Sequence, residues 1–346
     1  MSELRITAAT VGHPGGGDVV HELDLHVPSG GVDAVLGASG SGKSTLLLAI
    51  AGLLPLRAGE IAVGDRVLST ARRTVPPERR GVGWVPQDAS LFPHLTVAEN
   101  IAFGLPRSER DPRGERVRAM LELVELGGFG DRSPADLSGG QAQRVALARA
   151  LAPAPSIVLL DEPFSALDAT LRVGLRREIG RILRDAGATA LLVTHDQEEA
   201  FALADRVSVL RSGRVEQHGT AEELFARPRS AWLATFLGES TLVPARRDGD
   251  AWRTPLGPVP VAAGAIDDAE AMLVVRPEQL KPFAAGVPIT VRDVEYSGHD
   301  RLLLAEAEGV PGTVLMRMPS AIGIELGTRM PVRIHGTPHA VPLAGA

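Results

Sequence analysis

Gly37-Ala38-Ser39-Gly40-Ser41-Gly42-Lys43-Ser44-Thr45 is the stretch of this 346-residue chain whose residue types could do chemistry together. It fits the spacing G-x-x-x-x-G-K-[ST] of a phosphate-binding loop. Glycines let the backbone bend tightly and turn successive N–H groups toward one point, a concavity that attracts anions. Lys43 brings an ammonium to where the β- and γ-phosphates of a nucleotide would sit. Ser44 offers a hydroxyl to Mg²⁺, which prefers oxygen ligands. A helix opening here would add the positive end of its dipole. Such a loop must leave a strand and open a helix. Val32-Asp33-Ala34-Val35-Leu36 is short and mostly apolar, and residues 44–54 favour a helix that stops at Pro55. With both flanks in place, a Gly/Ser-rich turn that binds nothing is the poorer reading.

Further polar residues stand at the ends of apolar runs. Ile157-Val158-Leu159-Leu160 ends in Asp161-Glu162. Asp161 there could hold Mg²⁺ through water, and Glu162 could orient an attacking water. The alternative is a strand ending in a solvated acidic turn. Gln87 ends the run 82–86, and His195 ends Ala190-Leu191-Leu192-Val193-Thr194. A lone histidine is more often a hydrogen-bonded structural residue, but this one would share a sheet edge with Asp161. Leu137-Ser138-Gly139-Gly140-Gln141 has two readings. Ser138 and Gln141 fit the S-x-x-Q capping box, a routine helix start. A helix N-terminus carrying two glycines is also an anion cradle, and both can hold.

The elements that position these groups follow from periodicity. Residues 4–11 read as a strand, 12–17 as a loop, and Leu23, Leu25 and Val27 alternate with polar neighbours. Gly64-Asp65 between two short strands signals a hairpin, as does the region of Arg211-Ser212-Gly213-Arg214. Residues 97–126 look mainly helical, with Val117, Met120, Leu121 and Val124 on one face. Leu137-Ser138-Gly139-Gly140-Gln141 opens a helix through Leu151, and Leu171, Leu175, Ile179 and Ile182 mark another. Strand–helix alternation predicts an α/β fold: a largely parallel sheet, helices on both faces, reactive groups at the strands' C-terminal ends. From about 241 the texture changes to short strands with frequent Pro and Gly, a second, all-β domain of small-barrel type.

Composition bounds the rest. The length suits two domains. A net charge of −6 gives no bulk attraction to nucleic acid, so no nucleic-acid partner is expected. There are no cysteines, hence no disulfide and no thiolate metal site, which fits a reducing compartment. No apolar run is long enough for a membrane span, and Met1-Ser2-Glu3-Leu4-Arg5-Ile6 lacks signal-peptide segments, so a soluble intracellular protein is expected.

In order along the chain, the phosphate loop, Gln87, Leu-Ser-Gly-Gly-Gln at 137–141, Asp161-Glu162, Ser165-Ala166-Leu167-Asp168 and His195 resemble the ATP-binding-cassette ATPases. The resemblance covers residues 1–238, with a helical subdomain at about 88–150, and leaves 239–346 as the β-domain. It implies a P-loop NTPase fold that uses ATP and Mg²⁺. Gly37, Ala38, Ser39, Gly40, Ser41, Gly42, Lys43, Ser44 and Thr45 would hold the phosphates. Ser44, Gln87 and Asp161 would hold the metal. Glu162 would be the general base or water-positioning group, with Lys43, Gln87 and His195 completing the catalytic set. The family binds two ATP between two head-to-tail copies, so Ser138, Gly139, Gly140 and Gln141 would touch the nucleotide of the second copy, and Asp168 would cross the seam. Family members stack an aromatic residue on adenine from the loop between the first two strands. This chain has no Phe, Tyr or Trp before Trp84, and His13 is the nearest ring there.

Glu162-Pro163-Phe164-Ser165-Ala166-Leu167-Asp168 and Thr194-His195-Asp196-Gln197-Glu198-Glu199-Ala200 are similar to importer ATPases that carry an appended regulatory domain. Val275-Arg276-Pro277-Glu278-Gln279-Leu280 resembles the transport-associated OB (TOBE) domain of those proteins. Val75-Pro76-Pro77-Glu78-Arg79-Arg80 and Leu91-Phe92-Pro93-His94-Leu95-Thr96-Val97 look most like the ferric-iron subgroup, with polyamine, sulfate or molybdate, and sugar importers as alternatives. The resemblance implies a homodimer at the cytoplasmic membrane face, bound to permease subunits and served by an extracytoplasmic solute-binding protein. A soluble cassette ATPase of DNA repair or translation would carry a long coiled coil, two cassettes or basic surfaces, and a regulator without turnover would lack part of the Lys43, Asp161, Glu162 and His195 set. Neither pattern is present.

Overall fold

The computed structural model describes residues 2–165, 168–262 and 266–343. Ala166 and Leu167 of the 165–168 motif lie outside the described residues. The chain forms two units, 1–221 and 222–346.

In the first unit the strands are β1 (Leu4–Gly12), β2 (Asp18–Val27), β3 (Val32–Leu36), β4 (Leu56–Val63), β5 (Arg66–Thr70), β6 (Arg73–Thr74), β7 (Val82–Val85), β8 (Ile157–Asp161), β9 (Ala190–Thr194), β10 (Arg206–Arg211) and β11 (Arg214–Gly219). The helices are α1 (Lys43–Ala51), α2 (Val97–Phe103), α3 (Glu115–Leu123), α4 (Gly139–Leu151), α5 (Ala169–Asp185) and α6 (Gln197–Leu203). One sheet has the order β11-β10-β3-β9-β8-β7, parallel throughout except for the edge strand β11. Its inner strands are buried on both faces, so they read as continuous apolar runs. A second, separate sheet, β2-β1-β4-β5-β6, is antiparallel. The Gly64-Asp65 signal announced the β4–β5 hairpin, but the pairing of β1 with β4 joins distant segments that no local pattern specifies. Leu4, Ile6 and Leu25 of this sheet share one apolar core with Leu46, Leu47 and Ile50 of α1 and Val35 and Val193 of the parallel sheet.

Two element boundaries and the burial of one helix correct the sequence reading. Helix α1 stops at Ala51 rather than at Leu54, because Gly52 turns left-handed (φ 90°) and the Leu53 and Leu54 N–H groups fold back to the Leu48 carbonyl. The helical region 97–126 is two helices, α2 and α3, broken around Gly104-Leu105-Pro106 and Asp111-Pro112-Arg113-Gly114. On α5, Leu175, Ile179 and Ile182 are buried as expected, but Leu171 is 53% exposed and Val173 44%.

The far end of α1 is fastened by Arg80, which is fully buried. Its guanidinium donates to the Ala49 and Ile50 carbonyls (3.0 and 2.7 Å), to the Val75 carbonyl (2.8 Å) and to Ser69 Oγ (2.6 Å). Four acceptors satisfy the group without a carboxylate, and burial lowers its pKa to about 10.

The second unit adds α7 (Ala221–Ala226, beginning at the junction) and α8 (Ala231–Phe236), then β12 (Thr241–Asp248), β13 (Ala251–Thr254), β14 (Gly257–Pro260), β15 (Glu270–Val275), β16 (Leu280–Tyr296), β17 (Asp300–Glu306), β18 (Val314–Pro319), β19 (Arg329–Ile334) and β20 (His339–Val341). Two all-antiparallel sheets, β14-β13-β12-β15-β20 and β18-β17-β16-β19, enclose a core around Trp252, Leu273, Val291 and Met316. This is the all-β, OB-like fold expected there. Arg276 is buried and donates to the carbonyls of Phe225, Ala234 and Gly238 (3.0, 2.9 and 3.1 Å), tying α7 and α8 to β15.

Candidate active site

The registers of the parallel sheet fix where the polar strand ends fall. Val85 stands beside Leu160, Asp161 beside Val193, and Leu36 beside Thr194. Gly37, Gln87, Glu162 and His195 therefore leave one and the same edge, one or two residues beyond their strands. The sequence reading placed them there, and the sheet does so.

The loop 37–45 is built to close on an anion. Gly40 (φ 78°) and Gly42 (φ 106°) occupy the left-handed region. A Cβ on Gly37 would stand 2.5 Å from the Leu210 carbonyl and 2.6 Å from Ser41 Oγ, so no side chain fits. Ser41 Oγ is buried without a hydrogen-bond partner, an orphan that a phosphate oxygen would satisfy. Lys43 is buried, and its Nζ donates to the Gly37 and Ala38 carbonyls at 2.8 and 3.1 Å. Burial lowers the Lys43 pKa, while Glu162 and Asp161 pull the other way. The Asp161 pKa is raised, first by burial and then by Glu162, with Lys43 opposing. One cation and two carboxylates thus share a partly dry space. Ser44, exposed at the start of α1, and the exposed Gln87 leave their polar groups available at the same edge. These donor types suit a nucleotide phosphate and a hard cation.

Glu162 occupies the left-handed region (φ 43°), where a non-glycine residue is strained. Three contacts hold it there. Its N–H donates to the Val193 carbonyl at 2.9 Å, its carbonyl accepts from Ser165 Oγ at 2.9 Å, and its Oε2 lies 3.1 Å from His195 Nδ1. His195 is placed in turn by its neighbours. The Thr194 hydroxyl donates to buried Glu199 and accepts from the Asp196 N–H at 3.0 Å, and Asp196 caps α6. Burial raises the Glu199 pKa.

At 138–141 the capping box is present. Ser138 Oγ accepts from the Gln141 N–H (3.3 Å), and Gln141 Oε1 accepts from the Ser138 N–H (3.0 Å). Among the described residues, no hydrogen bond or ion pair joins 138–141 to 37–45 within the chain. His13 Nε2 lies 3.3 Å from Thr45 Oγ1, which places the ring next to the start of α1.

Two side chains that the sequence did not single out hold the site together from α4. Gln143 is buried and donates to the Pro163 carbonyl at 2.7 Å, directly behind Glu162. Arg149 donates to the carbonyls of Ala89 and Ser90, both at 2.9 Å. Ala89 and Ser90 follow Gln87 and are themselves left-handed (φ 59° and 43°). The available signal was three long polar side chains, Gln143, Arg144 and Arg149, in the otherwise apolar helix run 143–151.

The comparisons with known proteins agree with this geometry. The ABC transporter family profile matches residues 20–165. The Fe(3+) ions import ATP-binding protein FbpC 1 of Rhodococcus jostii is 46% identical over 335 residues, covering 95% of this chain and 96% of that protein. The sulfate/thiosulfate import ATP-binding protein CysA 2 of Chromobacterium violaceum is 44% identical over 302 residues, covering 85% and 81%. Among solved structures, the dimeric post-hydrolysis state of the ATP-binding cassette MJ0796, bound to ADP and Pi, superposes with a TM-score of 0.52 at 30% identity, covering 63% of this chain and 98% of that one. With the phosphate loop, the strand-end acids and the 137–141 motif on one scaffold, the chain belongs to the ATP-binding subunits of the ABC transporter family.

Proposed function

We propose that this chain is the ATP-hydrolysing subunit of a ferric-iron importer, working as a head-to-tail homodimer. The observation that carries the reading is the single sheet edge that Gly37, Gln87, Glu162 and His195 leave together. The choice of ferric iron rests on the likeness to the 46% identical Fe(3+) import protein of Rhodococcus.

In this reading the N–H groups of 37–45, Ser41 Oγ and Lys43 bind the phosphates. Lys43 exchanges its two carbonyl acceptors for phosphate oxygens. Ser44, Gln87 and Asp161 would hold Mg²⁺, which when bound would draw charge from the phosphate oxygens. Glu162 accepts a hydrogen bond from the attacking water, and His195 keeps that carboxylate aimed while facing the γ-phosphate. His13 lies against the base. Ser138, Gly139, Gly140 and Gln141 present a helix N-terminus to the nucleotide held by the second copy. Exposed Val173 lines a surface cleft with His195, and exposed Leu171 donates its N–H to Asp168 Oδ1 at 3.0 Å; the second copy would cover both.

Permease subunits would dock in a cleft of about 560 Å³ lined by Trp84, Pro86, Phe92, Phe103, Arg149 and Pro153. Phe92 and Phe103 are 4.4 Å apart there, and Phe103 is exposed. Such a floor suits the apolar face of a short helix. Arg149 lines this cleft and also holds the segment after Gln87, so docking and the nucleotide site share one side chain. No described helix is long and apolar enough to cross a membrane, which accords with attachment to the cytoplasmic face through those partners. Residues 239–346 would serve as a regulatory TOBE domain, and a solute-binding protein would act on the far side of the permease.

The test is uptake in a strain lacking this gene, complemented with the parent chain or with Glu162→Gln. Ferric-iron uptake should return with the parent only. Sulfate is the second reading, because of the 44% identical sulfate/thiosulfate protein. Restored sulfate uptake with unchanged iron uptake would replace iron by sulfate.

A further inference from the structure

We propose that Arg57 is a positioning residue for nucleotide: it clasps the loop that carries His13 and so holds that ring beside the start of α1. The proposal rests on reading 37–45 as the nucleotide site and extends it to a residue outside every motif.

The loop is His13-Pro14-Gly15-Gly16-Gly17. It closes on itself through one turn, the Gly16 N–H donating to the His13 carbonyl at 3.0 Å. A Cβ built on Gly15 or Gly17 would meet nothing within 4 Å, and one on Gly16 would meet only His13. The loop therefore stands clear of the body. Three consecutive glycines give it more conformational freedom to lose than any other tripeptide. Left to itself, it would not keep His13 in one place.

Arg57, at the start of β4, reaches across. Its Nη1 donates to Asp18 Oδ1 at 2.7 Å. Its Nη2 donates to the His13 carbonyl at 3.0 Å and to the Gly16 carbonyl at 2.6 Å. One planar, forked group thus grips the loop's first residue, its second glycine and the first residue after it. The room for this comes from Gly12, where a Cβ would stand 2.8 Å from the guanidinium carbon. Among the described residues, no hydrogen bond or ion pair joins Arg57 to 37–45. It acts through His13, whose Nε2 is 3.3 Å from Thr45 Oγ1, two residues beyond Lys43. A base that rests on His13 depends on Arg57 for a surface that is already in place.

Binding to a preorganised loop avoids an ordering cost at the moment of binding. Arg57→Ala should therefore raise the KM for ATP about three- to tenfold and leave kcat within about twofold. Arg57→Lys keeps the charge but loses the fork, and should recover only part of the loss. Asp18→Asn should fall between the parent and Arg57→Ala. The probes are steady-state ATPase kinetics and fluorescent ATP-analogue binding on the full chain, with thermal unfolding in parallel. His13→Ala separates the two readings. If it raises KM and adds nothing to Arg57→Ala in the double variant, the clasp acts through His13. If His13→Ala raises KM while Arg57→Ala does not, the loop reads nucleotide but the clasp proposal is wrong. If neither changes KM, the reading of this loop as a nucleotide contact fails, and the clasp with it. Equal losses of kcat and stability in Arg57→Ala and Arg57→Lys would mark a purely structural residue and also overturn the proposal.

Discussion

Glu162 Oε2 and His195 Nδ1 stand 3.1 Å apart, projecting from the ends of the neighbouring strands β8 and β9. The pair aims a carboxylate whose own backbone is strained, and the strain is held from both sides by Val193 and Ser165. Glu162→Gln preserves size and removes the acceptor charge. Turnover should fall about 100-fold or more while ATP affinity stays near the parent value. Parallel ATPase and nucleotide-binding titrations check it. Hydrolysis at the parent rate in Glu162→Gln would remove Glu162 from the mechanism.

Lys43→Ala addresses binding instead of turnover. It deletes a charge-assisted contact to phosphate, so ATP affinity should drop about 10- to 100-fold. Stability without nucleotide should hardly change, since burying the ammonium costs free energy that its two carbonyl bonds only offset. Isothermal titration and a melting curve on the same sample test both halves.

Asp33 gives the parent chain a pH signature. Both carboxylate oxygens are buried without a hydrogen-bond partner, in the middle of β3 between β9 and β10. Burial and then Asp205 raise its pKa to about 7, with Arg206 and His26 opposing. The folded chain therefore holds a proton that the unfolded chain has released. Stability from this group is greatest below about pH 4, falls as pH rises toward about 7, and is level above that. The loss is at most about 4 kcal/mol. Asp33→Asn should flatten that slope and melt higher than the parent at pH 8. Denaturant unfolding of both chains from pH 5 to 8 decides. Parallel slopes would show that Asp33 does not titrate there.

Gln143→Leu leaves the Pro163 carbonyl unpartnered behind Glu162. The cost should be about 1–3 kcal/mol of stability, together with a drop in kcat larger than any change in ATP affinity. Unchanged kcat would mean that the 162–165 turn holds its shape without this contact.

Head-to-tail pairing has its own test in a mixed dimer of one chain carrying Gly140→Asp and one carrying Lys43→Ala. One of its pockets should be doubly damaged and the other intact, so about one nucleotide is trapped per dimer. Two equal half-strength sites would exclude the pairing proposed for Gly140. There is open space at Gly140 on its own chain, where an added Cβ meets only Leu175 at 3.9 Å, so the substitution should leave the fold unharmed.

Gly37, Gln87, Glu162 and His195 were legible because each follows an apolar run, and an apolar run ending in a polar residue marks a buried parallel strand's edge. What stayed hidden shares one cause. Arg57, Arg80, Gln143 and Arg149 all bond to backbone carbonyls, and a carbonyl looks the same at every position of a sequence. The antiparallel sheet was partly hidden for a related reason, since β1 pairs with β4 across the intervening β2, β3 and α1. Leu171 followed the helical period and yet is exposed, because a period predicts which face a residue is on but not whether a single chain covers it.

The anchoring of α1 by Arg80 has a mechanical corollary. A helix of nine residues, about 13 Å long, is gripped at its far end by a side chain that also holds Ser69 and Val75. A rod clamped at its tail cannot slide when its head is pushed. Any displacement of that rod would be shared with the β5–β6 hairpin, because Ser69 and Val75 are tied to the same guanidinium.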